Sequence, residues 1–148
     1  MHSLIKTTTI NRPIQEVFDF FSKAENLNKI TPPDLQFQIL SPLPISIKKG
    51  TLIDYKIKIN GISFKWRTEI SEWELNKRFI DRQVKGPYKV WIHEHTFEER
   101  NEITYMTDHV QFLSPGWILE PIINKFFIEK KVKAIFEYRE KTLAHLFK

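Results

Sequence analysis

Phe79-Ile80-Asp81-Arg82-Gln83-Val84-Lys85-Gly86-Pro87-Tyr88-Lys89-Val90-Trp91-Ile92-His93-Glu94-His95-Thr96-Phe97 is the stretch that decides the fold. Its second half alternates as a β-strand does, and residues two apart share a face of a sheet. Trp91, His93, His95 and Phe97 therefore point the same way. A purely structural face would carry aliphatic residues, and a solvent face would carry charges. Large aromatics mixed with imidazoles suit a mainly apolar cavity with a few polar groups.

Downstream, Arg100-Asn101 reads as a two-residue turn. That register pairs Glu99 with Glu102 and makes His93 and Asp108 direct cross-strand neighbours. Met106, Asp108, Val110 and Phe112 then share the face of Trp91 and His93. A slip of one residue would put Tyr105, Thr107, His109 and Gln111 there instead, so apolar content favours the first register. Upstream, Asn60-Gly61 is a strong hairpin signal. It pairs Ile59 with Ile62, Ile57 with Phe64 and Tyr55 with Trp66, so both apolar faces coincide. The intervening strand, 79–85, stays open. Phe79, Asp81 and Gln83 share one face, Ile80 and Val84 the other, and the Leu75-Asn76-Lys77 turn does not say which lines the cavity.

Outside this centre, Ser3 to Ile10 reads as a first strand. Asn11 is the expected N-cap of a helix with Pro13 in its first turn, and Ile14, Val17, Phe18 and Phe21 follow helical spacing. A second short helix is expected from Ala24 to Ile30, stopped by Thr31-Pro32-Pro33, then a short strand from Leu35 to Leu40. Ser114-Pro115-Gly116 ends the sheet. Trp117 to Phe147 is the longest helical pattern, with its regular part beginning near Pro121. Leu119, Ile122, Ile123, Phe126, Phe127, Ala134, Ile135, Phe136, Tyr138, Leu143 and Leu146 form its apolar stripe. A sheet with one dry face needs a cover. The expected class is α+β: a curved antiparallel sheet of about seven strands around a long C-terminal helix, with two short helices after strand 1. One helix cannot fill such a sheet, so a hollow is expected between them.

The 148 residues suit a single domain, 1–148. With no cysteine, disulfides and thiolate chemistry are excluded. There is no signal-peptide pattern and no run of about 18 apolar residues, so the chain reads as soluble and cytoplasmic, without stable membrane insertion. The net charge is +5, but Lys and Arg are interleaved with Asp and Glu, and nucleic acid is not an expected partner. Oligomeric state is not legible.

Several spaced motifs carry a resemblance. They are Ile30-Thr31-Pro32-Pro33 before Leu35-x-Phe37, Gly50-x-x-Ile53-x-Tyr55 and Trp66-x-Thr68-x-Ile70. The central stretch from Phe79 to Phe97, Asp108-x-Val110 and Ile135-Phe136-x-Tyr138-Arg139 complete them. Together they resemble the helix-grip fold of the START, Bet v 1 and polyketide-cyclase superfamily, also called SRPBCC, in its branch of small bacterial ligand-binding proteins. The resemblance implies a cavity for a lipid, polyketide, quinone or aromatic metabolite. In a minority of members the cavity performs cyclisation, dehydration or hydrolysis. No Rossmann glycine fingerprint is present.

The candidate ligand-binding residues are Tyr55, Trp66, Gln83, Trp91, His93, His95, Phe97, Asp108, Phe112 and Arg139. Asp108 beside His93 would orient the imidazole toward a ligand, act with it as an acid–base pair, or form a buried pair that satisfies only itself. His93-x-His95 also has metal-ligand spacing with Asp108 as a third group, but no metal or other cofactor is expected. Asp81 is read as a possible brace for the Gly86-Pro87 turn, and Arg139 as reaching the cavity or lying on its rim. The leading reading is a non-enzymatic binder of a small hydrophobic ligand. The alternative is a cyclase, aromatase or dehydratase using His93 and Asp108.

Overall fold

The computed structural model describes residues 1–59, 61–113 and 121–148, with side chains described outside 121–128. The expectations that fall on Asn60, on 114–120 and on the side chains of Ile122, Ile123, Phe126 and Phe127 lie outside the described residues. Seven strands, β1 (His2–Ile10), β2 (Gln38–Ile39), β3 (Leu52–Ile59), β4 (Ile62–Glu74), β5 (Arg78–Lys85), β6 (Val90–Arg100) and β7 (Ile103–Leu113), form one antiparallel sheet. Its order is β1-β7-β6-β5-β4-β3-β2. Helix α1 (Ile14–Phe21) and two 3₁₀ segments, Ala24–Ile30 and Pro33–Leu35, follow β1. Helix α2 (Pro121–Leu146) is long and C-terminal. This is the helix-grip arrangement. Among the described residues no helix is long and apolar enough to cross a membrane.

The first helix begins differently from the sequence reading. Asn11 does not cap it; Pro13 occupies the N-cap, which has no side-chain cap bond. The amide of Ile14 instead donates to Glu99 Oε1 at 2.8 Å, so β6 supplies the cap. The expected strand over Leu35–Leu40 shrinks to Gln38–Ile39, because Pro33–Leu35 turns as a 3₁₀ helix and Gln36 is left-handed.

The hairpin registers set which side chains meet. Between β3 and β4, Ile59 pairs with Ile62, Ile57 with Phe64 and Tyr55 with Trp66, as expected. Between β6 and β7 the turn lies one residue later than read, at Asn101-Glu102, and Arg100 pairs with Ile103. Both turn residues have positive φ, 53° and 63°. Asn suits the first such position of a two-residue turn. Arg100 also lies over the Tyr105 ring, 4.3 Å from its centroid. His95 therefore faces Asp108, and His93 faces Val110, which corrects the expected direct His93–Asp108 pairing. A displacement of two residues preserves the faces, so Trp91, His93, His95 and Phe97 still share one with Met106, Asp108, Val110 and Phe112.

Helix α1 plugs one end of the concave face. Phe18 is fully buried and meets Phe97 and Phe79 edge-on at 5.0 and 6.1 Å. Ile10, Phe21, Met106 and Leu143 complete that cluster. Helix α2 buries Val132, Phe136, Arg139 and Leu143, spaced four, three and four apart along one stripe. Ala134 and Leu146, read as part of the stripe, are exposed.

Glu102 is exposed and its backbone is left-handed, a conformation that a Cβ disfavours. Glu102→Gly is therefore expected to stabilise the protein by roughly 0.5–1 kcal/mol, measured by urea unfolding. An unchanged or lower midpoint would reject this account of the turn.

Candidate ligand-binding site

A cavity of about 140 Å³ lies among the sheet, the 3₁₀ segments and α2. One trapped water needs about 10–15 Å³, so this is much more than a water site. Tyr55, Trp66, Trp91, His93, His95 and Arg139 line it, as the sequence predicted. Tyr55 and Trp66, cross-strand partners on β3 and β4, stack at 5.6 Å and 18°. Trp91 meets Trp66 edge-on at 5.4 Å. The Tyr55 hydroxyl lies 3.4 Å from Thr68 Oγ1, and burial pushes its pKa up.

Four predicted contacts sit elsewhere. Phe97 packs in the cluster around Phe18, and Phe112 packs with Val110, Val132 and Phe136. Asp108 is 1 % exposed and lies behind the histidines. Gln83 donates from Nε2 to the Tyr88 carbonyl at 2.6 Å and accepts from the Tyr88 amide at 3.0 Å. Gln83 therefore braces the Gly86-Pro87 turn, the role assigned to Asp81, and holds Tyr88 on the cavity wall. A Cβ on Gly86 would stand 2.5 Å from Gln83 Oε1, so the bare glycine admits this brace.

Asp81 is the polar residue that the sequence reading misplaced. It shares the wall with Phe79, and its Oδ2 accepts from His95 Nε2 at 2.6 Å. His93 Nε2 donates to Asp108 Oδ1 at 2.7 Å. The longer approaches are 3.5 Å from His93 Nδ1 to Asp81 and 3.3 Å from His95 Nδ1 to Asp108. The imidazoles stack face to face at 3.6 Å and 28°. Phe79 stacks on the far side of His95 at 4.0 Å, and Phe136 meets His93 edge-on at 5.2 Å. Direct cross-strand partners are Asp81 with His93 and Asp108 with His95, yet both short hydrogen bonds run diagonally. Diagonal neighbours on one face lie within reach of side chains this long. Period-two spacing placed Asp81 with Phe79; the β5–β6 register that brings it to His95 was the missing information.

The four groups share charge. Burial pushes His93 down to about 4, helped by His95, against the pull of Asp81 and Asp108. Burial opposes the charged form of His95 too, but contacts with Asp108 and Asp81 outweigh it and raise its pKa. Burial would raise both aspartates, yet the imidazoles hold each below the usual carboxylate range. The pattern places a proton on His95 in preference to His93 and keeps both carboxylates ionised. Arg139 Nη1 adds a positive charge 3.7 Å from Asp108 Oδ1.

Asp81, His93 and His95 offer ligand atoms within 4.8 Å of one another, so the carboxylate nearest a metal geometry is Asp81 rather than Asp108. The stacked rings oppose chelation. An ion about 2.0–2.1 Å from each nitrogen would have to lie in both ring planes, which here run nearly parallel. As they stand, these residues form a hydrogen-bonded box.

Residues 10–139 match the family described as polyketide cyclase / dehydrase and lipid transport. No curated protein matches the sequence. Among solved structures, the Zhui aromatase/cyclase from Streptomyces sp. R1128 is similar at a TM-score of 0.78 and 15% identity, covering 97% of this chain and 92% of that one. A START superfamily protein from Mycobacterium smegmatis gives 0.71 and 13%, covering 99% of both. A nucleoside-diphosphate sugar epimerase from Corynebacterium glutamicum gives 0.66 and 20%, covering 96% of this chain but 28% of that one. These likenesses establish the fold.

The charge pattern has a signed consequence for stability. The folded pKa of His93 lies below its unfolded value, so the unfolded chain takes up the extra proton as pH falls from about 6.5 to 4. Stability is expected to drop across that window by on the order of 3 kcal/mol. His95 acts oppositely: its stabilisation is complete below its unfolded pKa and is lost as pH rises through its raised folded value. His93→Gln keeps a donor for Asp108 and should flatten the acid side in urea unfolding between pH 4 and 8. Equal acid-side slopes in the two proteins would remove His93 as the cause.

Proposed function

The chain belongs to the polyketide cyclase / dehydrase and lipid transport family, and from that premise we propose that it binds a small, mainly hydrophobic ligand in the hollow beneath α2. A lipid, polyketide, quinone or aromatic metabolite suits it. The carrying observation is one wall that combines an aromatic surface, Tyr55, Trp66 and Trp91, with buried polar groups. Aromatic walls give affinity: about 200 Å² of apolar ligand surface removed from water contributes roughly 5 kcal/mol before the costs of association. Imidazole and guanidinium groups then orient the ligand. The wall also takes Ile47 from the segment 42–49 and Phe136 from α2.

The second reading, an acid–base enzyme, rests on His93, a cavity-lining imidazole hydrogen-bonded to Asp108 at 2.7 Å. A His93→Ala protein that still binds naphthalene but no longer converts the co-purified compound would support that role. Unaffected conversion would end it.

Solvent extraction of purified protein followed by mass spectrometry should release an apolar compound, and calorimetry should show uptake of naphthalene. Ile57 lines the cavity from β3. Ile57→Trp fills the space and should weaken naphthalene uptake at least about tenfold, while overpacking costs about 1–3 kcal/mol of stability. No uptake by the native protein, or undiminished uptake by this variant, would reject the hollow as the site.

A further inference from the structure

Resting on that reading of the hollow, we propose that its ligand is an organic acid whose oxyanion is held by Arg139 and whose second oxygen acceptor meets the indole N–H of Trp66. Arg139 is 9 % exposed, and its Nε and Nη1 are sealed from solvent without a hydrogen-bond partner. Asp108 does not satisfy them. Its Oδ1 is 3.7 Å from Nη1 and already accepts from His93 at 2.7 Å. The guanidinium is held by packing instead, 5.0 Å from the centroid of Phe136. Trp66 Nε1, on a residue 5 % exposed, is likewise without a partner.

Buried donors without acceptors are costly, and more so on a charged group. Both residues line the same cavity, so a ligand that brings acceptors recovers that loss. Trp66 stacks on Tyr55, and Tyr55 lines the same cavity as Arg139. A planar carboxylate matches the guanidinium fork better than a point charge would. The aromatic walls require that the acid carry a flat apolar body, which excludes inorganic anions as the preferred occupant.

Three probes isolate the Arg139 contact: naphthalene, methyl 2-naphthoate and 2-naphthoate, titrated by calorimetry at pH 7.5 (a pH at which the free acid is ionised). The native protein should bind all three, and 2-naphthoate about tenfold or more tighter than the ester. In Arg139→Met that preference should fall to within about twofold while naphthalene binding persists. Arg139→Lys keeps the charge without the planar fork and serves if the Met variant does not fold; it should lose about threefold or more of the preference. A native protein that takes up naphthalene but shows no preference for the acid overturns this proposal alone. So does a full preference surviving in either variant. Exclusion of naphthalene as well would overturn the ligand-site reading with it.

Discussion

The box formed by Asp81, His93, His95 and Asp108 constrains everything around it. It joins β5, β6 and β7 through side chains on the dry face, and Arg139 extends it to α2. Ionised groups leave water at a cost of several kcal/mol each, and only good geometry with further hydrogen bonds repays it. Two bonds of 2.6 and 2.7 Å, two longer approaches and a stacked ring pair meet that demand. Each carboxylate answers both imidazoles, so deleting any member leaves a buried group uncompensated. Stability alone does not call for such an arrangement. Apolar residues of similar volume serve a core as well or better. A polar box on the wall of an apolar hollow is better understood as equipment for what enters the hollow.

The hollow itself follows from how the surrounding residues spend their contacts. Helix α1 fills one end of the concave face with Phe18 and Phe21, which meet Phe97 and, through Phe18, Phe79. At the other end, Tyr55, Trp66 and Trp91 pack on one another along the sheet. Register shifts in the β4–β5 ladder, between Arg67 and Thr68 and between Ile70 and Glu72, mark irregularities of the kind that bend a strand. On α2, Arg139 occupies a place in the buried stripe where a leucine would have added apolar volume. A polar guanidinium at that point cannot merge into the aromatic wall, and space remains between them.

Much of this was legible in the sequence, for reasons that differ by residue. Period-two alternation fixed the faces of β3, β4, β6 and β7, because a face depends only on parity. The same parity hid the β6–β7 register: moving the turn from Arg100-Asn101 to Asn101-Glu102 slides the pairing by two and leaves every face unchanged. His93 and Asp108 still meet, as a diagonal pair rather than a direct one. Asp81 was obscured by the Leu75–Lys77 turn, where Asn76 adopts a positive φ that propensity alone did not place. The cap of α1 comes from Glu99, far along the chain, so no local pattern announced it. Arg139 was a candidate from the sequence, but its place in the buried stripe was not. A stripe drawn from apolar residues passes over a charged one, although the i, i+4, i+7 spacing from Val132 through Phe136 includes it.

The division of labour within the site explains how one backbone serves varied chemistry. Solved structures only 13–20% identical to this chain share its fold, so the backbone tolerates widely different sequences. In this chain the short hydrogen bonds commit Asp108 to His93 and Asp81 to His95. Other groups on the wall are less fully spent: Trp66 Nε1 has no acceptor, and Arg139 is held by an aromatic face and a long ionic contact. Rigid backing with unspent donors in front is the arrangement that gives selectivity, because a ligand lacking the matching acceptors leaves those donors buried and unpaired. On the proposed reading, the box supplies the rigidity and the aromatic wall the affinity. Selectivity would then be concentrated in the few polar atoms that the described residues leave without partners.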